Sequence, residues 1–81
     1  MVIPIRINGT LAQEIGTTRL NVDVGMFATV DDVIKELVEK YPSSAETLQI
    51  AIPFAGGRHL DKTTELKQGQ QIALLMPAAG G

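Results

Sequence analysis

The chain has 81 residues, of which 44% are hydrophobic and 20% charged, with one histidine, no cysteine and a formal net charge of −2 at pH 7. These values indicate one small globular domain and exclude disulfides, cysteine metal sites and thiolate chemistry. The scattered basic residues argue against nucleic acid as a partner, and the apolar runs are too short for a membrane span or a signal peptide. We therefore expect a soluble, cytoplasmic domain that binds no nucleic acid, membrane, metal or cofactor.

Alternating apolar residues predict two strands in the first part of the chain. In residues 2–8, Ile3, Ile5 and Ile7 fall on one face, which we expect to be buried. Pro4 cannot donate a hydrogen bond to a sheet, so we place it near the start of this strand. After a single helical turn in "TLAQEIG", the segment "RLNVDV" alternates in the same way and predicts the second strand.

The segment "TVDDVIKELVEKYP" predicts the main helix. Thr29 and Asp32 have the spacing of a capping box, and Pro42 is expected to stop the helix at Tyr41. Apolar residues at positions 30, 33, 34, 37, 38 and 41 form one continuous stripe. We expect this stripe to pack in the core and the charged face to be solvated.

The second half of the chain predicts a short helix and three more strands. "SSAETL" starts the helix, and "QIAIPF", "RHL" and "QIALLM" are the strands. This order predicts an α+β fold, the β-grasp or ubiquitin-like arrangement: a mixed sheet of about five strands with one main helix packed on one face. The first and last strands are then central and parallel, the domain spans residues 1–76, and residues 77–81 form a flexible tail.

The alternation also predicts a partly apolar second face of the sheet. If the even-numbered residues of the last strand lie under the helix, Ala73 and Leu75 point to the opposite face. Arg6 and His59 share that face by the same reasoning. With one long helix, little of the chain remains to cover it, and such a face is typical of a partner surface. The alternative is a central strand that is apolar on both sides and binds nothing there.

The last five residues, "PAAGG", carry no functional side chain. Their reactive group is the carboxylate of Gly81, which ATP can convert to an acyl adenylate open to attack by a nucleophile. Pro77, Ala78, Ala79 and Gly80 would then form a narrow arm that is inserted into the active site of another protein. Extended, the five residues reach roughly 16 Å at about 3.3 Å each. A diglycine without any function is the alternative.

The segments "FATVDDVIKELVEKYP" and "ELKQGQQIALLMPAAGG" resemble the ubiquitin-like sulfur carriers, especially the small subunit of molybdopterin synthase. In the second segment the shared pattern is a leucine, a glycine turn, an apolar strand, a proline and the final glycine pair. The resemblance implies an E1-like adenylating enzyme that activates Gly81 with ATP, and a persulfide sulfur donor that converts the carboxylate to a thiocarboxylate.

The same resemblance implies that the tail enters the large synthase subunit, which transfers the sulfur to precursor Z in molybdenum cofactor synthesis. The synthase would be a heterotetramer of two small and two large subunits, with the catalytic side chains on the large one. Three alternatives stay open: sulfur delivery to thiamine or thionucleosides, conjugation of the glycine carboxylate to lysines as a protein modifier, and a plain interaction domain.

Overall fold

The computed structural model of the protein describes residues 1–77. The predicted tail therefore lies outside the described residues, apart from Pro77, and its flexibility stays a prediction. The helices and strands are β1 (Val2–Ile7), α1 (Gly9–Ile15), β2 (Arg19–Asp23), α2 (Val30–Lys40), α3 (Ala45–Ile50), β3 (Ile52–Ala55), β4 (Arg58–His59) and β5 (Ile72–Leu75). A short 3₁₀ turn, Pro42–Ser44, joins α2 to α3. Within residues 1–77, no helix has the length and apolarity needed to cross a membrane.

The five strands form one mixed sheet in the order β2-β1-β5-β3-β4. β1 and β5 are parallel, and the other neighbouring strands are antiparallel. The first and last strands are thus inner strands that run side by side, as the sequence predicts. The β-grasp fold is confirmed, with α2 as its main helix.

The core lies between one face of this sheet and the helices. The inner face contributes the alternating apolar residues of β1 and β5, and α2 contributes the stripe predicted for it. Leu11 of α1 and Leu48 of α3 are also fully buried, so the two short helices help to close the core. The largest fully buried side chains are Ile3, Ile5, Leu11, Ile34, Leu37, Leu48, Ile72, Leu74, Val30 and Val33.

A capping box starts α2, as the sequence predicts. The Thr29 backbone N–H donates to Asp32 Oδ2 at 2.9 Å, and the Asp32 N–H donates to Thr29 Oγ1 at 3.2 Å. The hydrogen bond from the Thr29 N–H stabilises the carboxylate most, followed by the bond from the Thr29 hydroxyl and the charge of Lys35. Together they hold the pKa of Asp32 below its ordinary value.

Pro4 is accommodated in an inner strand because of where its nitrogen points. The Val24 N–H donates to the Met1 carbonyl, and the Ile7 N–H donates to the Thr18 carbonyl. Odd-numbered residues of β1 therefore direct their backbone groups toward β2. Pro4 directs its nitrogen to the other side, where β5 starts only at the level of Ile5. Its missing N–H thus removes no bond from the sheet.

Two predicted boundaries are wrong. The segment predicted as a single helical turn is the seven-residue helix α1. The strand predicted to begin at Gln49 begins at Ile52, because α3 continues to Ile50. Leu48 and Ala51 are both buried, at a spacing that fits a helical turn, whereas Ile50 is exposed. Packing on the core thus favours helix where the short apolar run suggests a strand.

Candidate functional site

We call the sheet surface that faces away from the helices the outer face. One row of side chains crosses all five strands on this face. The register pairs Arg6 with Arg19 of β2 and with Ala73 of β5. It also pairs Phe54 of β3 with Ala73 and with His59 of β4. Paired residues of neighbouring strands point to the same side of a sheet, so these five side chains form a continuous band.

The centre of the outer face is apolar and open. Leu75 pairs with Ile52 next to this row. Leu75, Ile52, Ala73 and Phe54 are all half-buried, whereas the inner-facing residues of β1 and β5 are buried. A shallow concavity of about 410 Å³ lies here, and its lining includes Arg6, Phe54, Ala73 and Leu75. Apolar side chains left half-open at the centre of a sheet are typical of a surface that another protein covers.

Basic side chains flank this centre on both sides. Arg6 and Arg19 are exposed and lie directly opposite each other, and among the described residues neither has a carboxylate within salt-bridge distance. Like charges in this position destabilise a sheet. On the other side, the His59 ring packs on Phe54 with 5.7 Å between ring centroids. On the side of the two arginines, the outer face is therefore complementary to a surface that carries acidic groups.

The base of the tail lies at the edge of this same face. Met76 follows β5 directly, and its backbone N–H donates to the side-chain oxygen of Asn8 at 2.8 Å. Pro77 is exposed and is two residues beyond Leu75, which belongs to the outer face. A partner that covers the outer face therefore also borders the point where the tail begins.

The structure places all four residues of the predicted partner face, Arg6, His59, Ala73 and Leu75, on the outer face. Their role in binding stays a prediction. Pro77 is the one tail residue that the structure describes; Ala78, Ala79, Gly80 and Gly81 lie outside the described range, and so does the chemistry predicted for Gly81.

The partner face predicted from the sequence did not include three residues of the outer face: Arg19, Ile52 and Phe54. The alternation in "RLNVDV" already puts Arg19 on the side opposite to Leu20 and Val22, so that signal was present. Placing Arg19 next to Arg6 requires the register between β1 and β2, which a sequence pattern does not give. Ile52 and Phe54 lie within the predicted strand "QIAIPF", but its nearly continuous apolar run does not indicate which side is buried.

The described residues form an open, partly apolar sheet face, and no metal-binding group is found among them. No group of three or more His, Cys, Asp or Glu in residues 1–77 is arranged to hold a metal ion. His59 has an aromatic ring rather than a carboxylate against it, which suits packing better than proton transfer. What the arrangement provides is an open, partly apolar face beside the start of a segment that is poor in side chains.

A mixed five-stranded sheet with a main helix packed on one face is the ubiquitin-like β-grasp architecture. Residues 5–81 match the model of the ThiS family. The chain belongs to the ThiS family. No curated protein sequence matches it at a significant level.

Several solved structures share this fold. The chain is similar to the small archaeal modifier protein SAMP1 from Haloferax volcanii, with 22% identity, full coverage of both chains and a TM-score of 0.88. It is similar to a putative molybdopterin converting factor subunit 1 from Pyrococcus furiosus, with 17% identity over 96% of this chain and 99% of that one and a TM-score of 0.78. It is also similar to a chain in the complex of subunits 1 and 2 of the molybdopterin-converting factor from Helicobacter pylori, with 21% identity, full coverage of both chains and a TM-score of 0.67. At these identities the likeness establishes the shared fold.

Proposed function

We propose that the protein is the sulfur-carrying small subunit of a molybdopterin synthase. In this proposal Gly81 is the reacting residue. An E1-like enzyme joins its carboxylate to the α-phosphorus of ATP and releases pyrophosphate. A persulfide donor then attacks the carbonyl carbon and displaces AMP, and a thiol reduces the resulting acyl disulfide to the thiocarboxylate. The large synthase subunit transfers this sulfur to precursor Z, so the carrier itself supplies no catalytic side chain.

The observation that carries the proposal is the position of the outer face beside the base of the tail in a ThiS-family fold. A partner that docks on Ala73 and Leu75 meets Pro77 at the edge of the contact. From there the segment 77–81 reaches roughly 16 Å at about 3.3 Å per residue. Docking and insertion of the tail are therefore one event, which suits a carrier that must present Gly81 deep in a partner's active site.

The outer face indicates what kind of partner surface could bind it. Its apolar centre supplies contact area, and Arg6 and Arg19, which have no ion-pair partner within residues 1–77, favour a surface with acidic groups at its rim. The similarity to subunit 1 in a solved complex with subunit 2 supports a large-subunit partner. We also propose that an E1-like enzyme activates the protein and that the synthase is a heterotetramer of two small and two large subunits.

A second candidate function is conjugation to proteins. The high structural similarity to the small archaeal modifier protein from Haloferax volcanii favours it. Both functions begin with the same adenylate and differ in the nucleophile: a sulfur donor for the carrier, a lysine amine for the modifier. Sulfur delivery to thiamine or thionucleosides is a variant of the first function with another acceptor.

Intact-mass measurement after incubation with the E1-like enzyme, ATP and a sulfur donor tests the proposal. The protein should gain the mass difference between sulfur and oxygen, and adding the large subunit with precursor Z should return it to its original mass. Chains that lack Gly81 or carry one residue after it serve as controls. Deletion shortens the arm by about 3.3 Å, and misplacing reacting atoms by even about 1 Å can cost two orders of magnitude in rate.

The outcomes separate the candidates. Sulfur gain by the one-residue extension at the native rate would contradict the role of Gly81. Sulfur gain without transfer to precursor Z points to another sulfur pathway. A new bond between Gly81 and target lysines, seen by peptide mass analysis, identifies the modifier.

A further inference from the structure

One side chain near the start of the sequence holds the base of the tail. The Met76 backbone N–H donates to Asn8 Oδ1 at 2.8 Å, and the two residues are 68 positions apart in the sequence. Asn8 directly precedes α1, where an asparagine side chain commonly caps the helix. In α1 there is no such side-chain cap hydrogen bond. The Asn8 side chain is thus engaged by the tail base and not by its own helix.

The direction of the backbone groups in β1 explains why Asn8 can serve Met76. Ile7 directs its N–H toward β2, where it donates to the Thr18 carbonyl at 2.9 Å. Because these groups alternate along a strand, Arg6 directs its groups toward β5. Asn8 directly follows β1, and it would be the next residue to face the parallel partner strand if β1 continued.

The Asn8 side chain replaces a missing backbone bond between β1 and β5. Arg6 is level with Ala73, so a continued parallel ladder would offer the Asn8 carbonyl as acceptor to the Met76 N–H. That carbonyl accepts the Ala12 N–H instead, at 3.2 Å, because the chain has turned into α1. The side-chain oxygen of Asn8 supplies the acceptor instead. The backbone is therefore still hydrogen-bonded at Met76, one residue beyond the end of β5.

Gly9 makes room for this contact. Its φ is +55°, and a Cβ at this position would lie 3.2 Å from both Cβ and Cγ of Met76. Any side chain here would press on Met76, and most residues would also be strained at this φ. Gly16 at the other end of α1 has a φ of +92°, but a Cβ there would meet no atom within 4 Å. The contact with Met76 thus distinguishes Gly9 from an ordinary turn glycine.

We propose that Asn8 and Gly9 clamp the backbone at Met76 and so set the direction in which residues 77–81 leave the domain. This inference rests on the proposed function, in which Gly81 must reach a partner's active site once the outer face has docked. Asn8 is then a positioning residue, which acts on the reaction through the backbone of Met76. Without the clamp, only a fraction of docked carriers would direct the tail toward the active site.

Sulfur loading by the E1-like enzyme, followed by intact mass, tests the clamp in Asn8→Ala. Freeing the backbone of one residue corresponds to a loss of about 5- to 30-fold in the rate at saturating carrier. The carrier concentration that gives half the maximal rate should hardly change, because the outer face is intact. Asn8→Asp keeps a side-chain oxygen acceptor and should recover most of the rate.

A second readout reports on the clamp in the free protein. Hydrogen exchange of the Met76 amide should be about 3- to 10-fold faster in Asn8→Ala, as expected for the loss of one hydrogen bond. Gly9→Ala should slow loading in the same way as Asn8→Ala. Gly16→Ala is the matched control: it places the same side chain at a positive φ and should leave loading unchanged.

Met76 exchange, the loading rate and sulfur gain test three different claims. Equal Met76 exchange in the native protein and Asn8→Ala would overturn the clamp. Equal loading rates in the two proteins, with the native one active, would overturn the positioning role. A native protein that gains no sulfur at all would overturn the proposed function, and Met76 exchange would then still decide whether the clamp exists.

Discussion

Arg19 can be changed so that stability and partner binding move in opposite directions. It lies directly opposite Arg6 on the outer face, and both side chains are exposed. Arg19→Glu turns a repulsive cross-strand pair into an attractive one, a change of roughly 0.2–1 kcal/mol. Because solvent screens both groups, we expect the lower half of that range, about 0.5 kcal/mol of added unfolding free energy. For a domain of this size, that raises the melting temperature by about 2–4 °C.

The same substitution should weaken the complexes. It places a carboxylate at the position where the proposed partners present acidic groups, and like charges at an interface cost binding free energy. We expect the affinity for the large subunit and for the E1-like enzyme to fall at least about tenfold, or about 1.4 kcal/mol. Urea unfolding measures the first effect and titration calorimetry the second. The loss of affinity should shrink at high salt.

Arg58→Glu is the matched control. Arg58 is exposed on the edge strand β4, and the register pairs it with Ala55, so its side chain alternates to the opposite side from His59. Both substitutions change the net charge from −2 to −4, since each replaces one positive charge by one negative charge. Binding that is weakened equally by both would show a general charge effect. Binding that is unchanged in Arg19→Glu would place Arg19 outside the interface.

Three further substitutions test other parts of the structure. Leu75→Glu should lower partner affinity at least about tenfold by placing a charge in the apolar centre, while circular dichroism shows an intact fold; an unfolded variant would contradict the outer-face assignment. Stability attributable to Asp32 should be fully present above its ordinary pKa of 3.8 and be lost as pH falls through its lowered folded-state pKa; urea unfolding at several pH values should show a flatter acid limb in Asp32→Asn, and identical limbs would refute the capping-box role. Phe27 has a φ of +68° and is 76% exposed in a turn closed by the Ala28 N–H and the Gly25 carbonyl at 3.3 Å. Phe27→Asn should therefore raise the unfolding free energy by about 0.5–1 kcal/mol, and a lower value would show that Phe27 contributes packing.

Local patterns were sufficient for much of the fold. The stripe and capping box of α2, and the alternation in β1 and β5, are properties of consecutive residues, so the sequence indicates both the elements and their buried faces. The boundary between α3 and β3 was mistaken because a short apolar run fits either state, and burial of Leu48 decides for helix.

Contacts between distant segments were not accessible in the same way. The pairing of Arg6 with Arg19 depends on register, which α1 and its flanking turns set. The contact between Asn8 and Met76 depends on the parallel alignment of β1 with β5. The sequence indicates that Asn8 comes before a helix, but only the alignment shows that its side chain serves the tail.

The position of the outer face has a consequence for turnover. Under the proposed function, the E1-like enzyme and the large subunit bind the same apolar centre and the same arginines, so the two complexes exclude each other. The carrier must leave the first partner before it can deliver sulfur to the second. A substitution that tightens one complex would therefore slow the cycle by slowing release, even if each step is normal when tested alone. Four half-buried apolar residues at the centre, with exposed charges around them, suit an interface that forms and dissociates in every cycle.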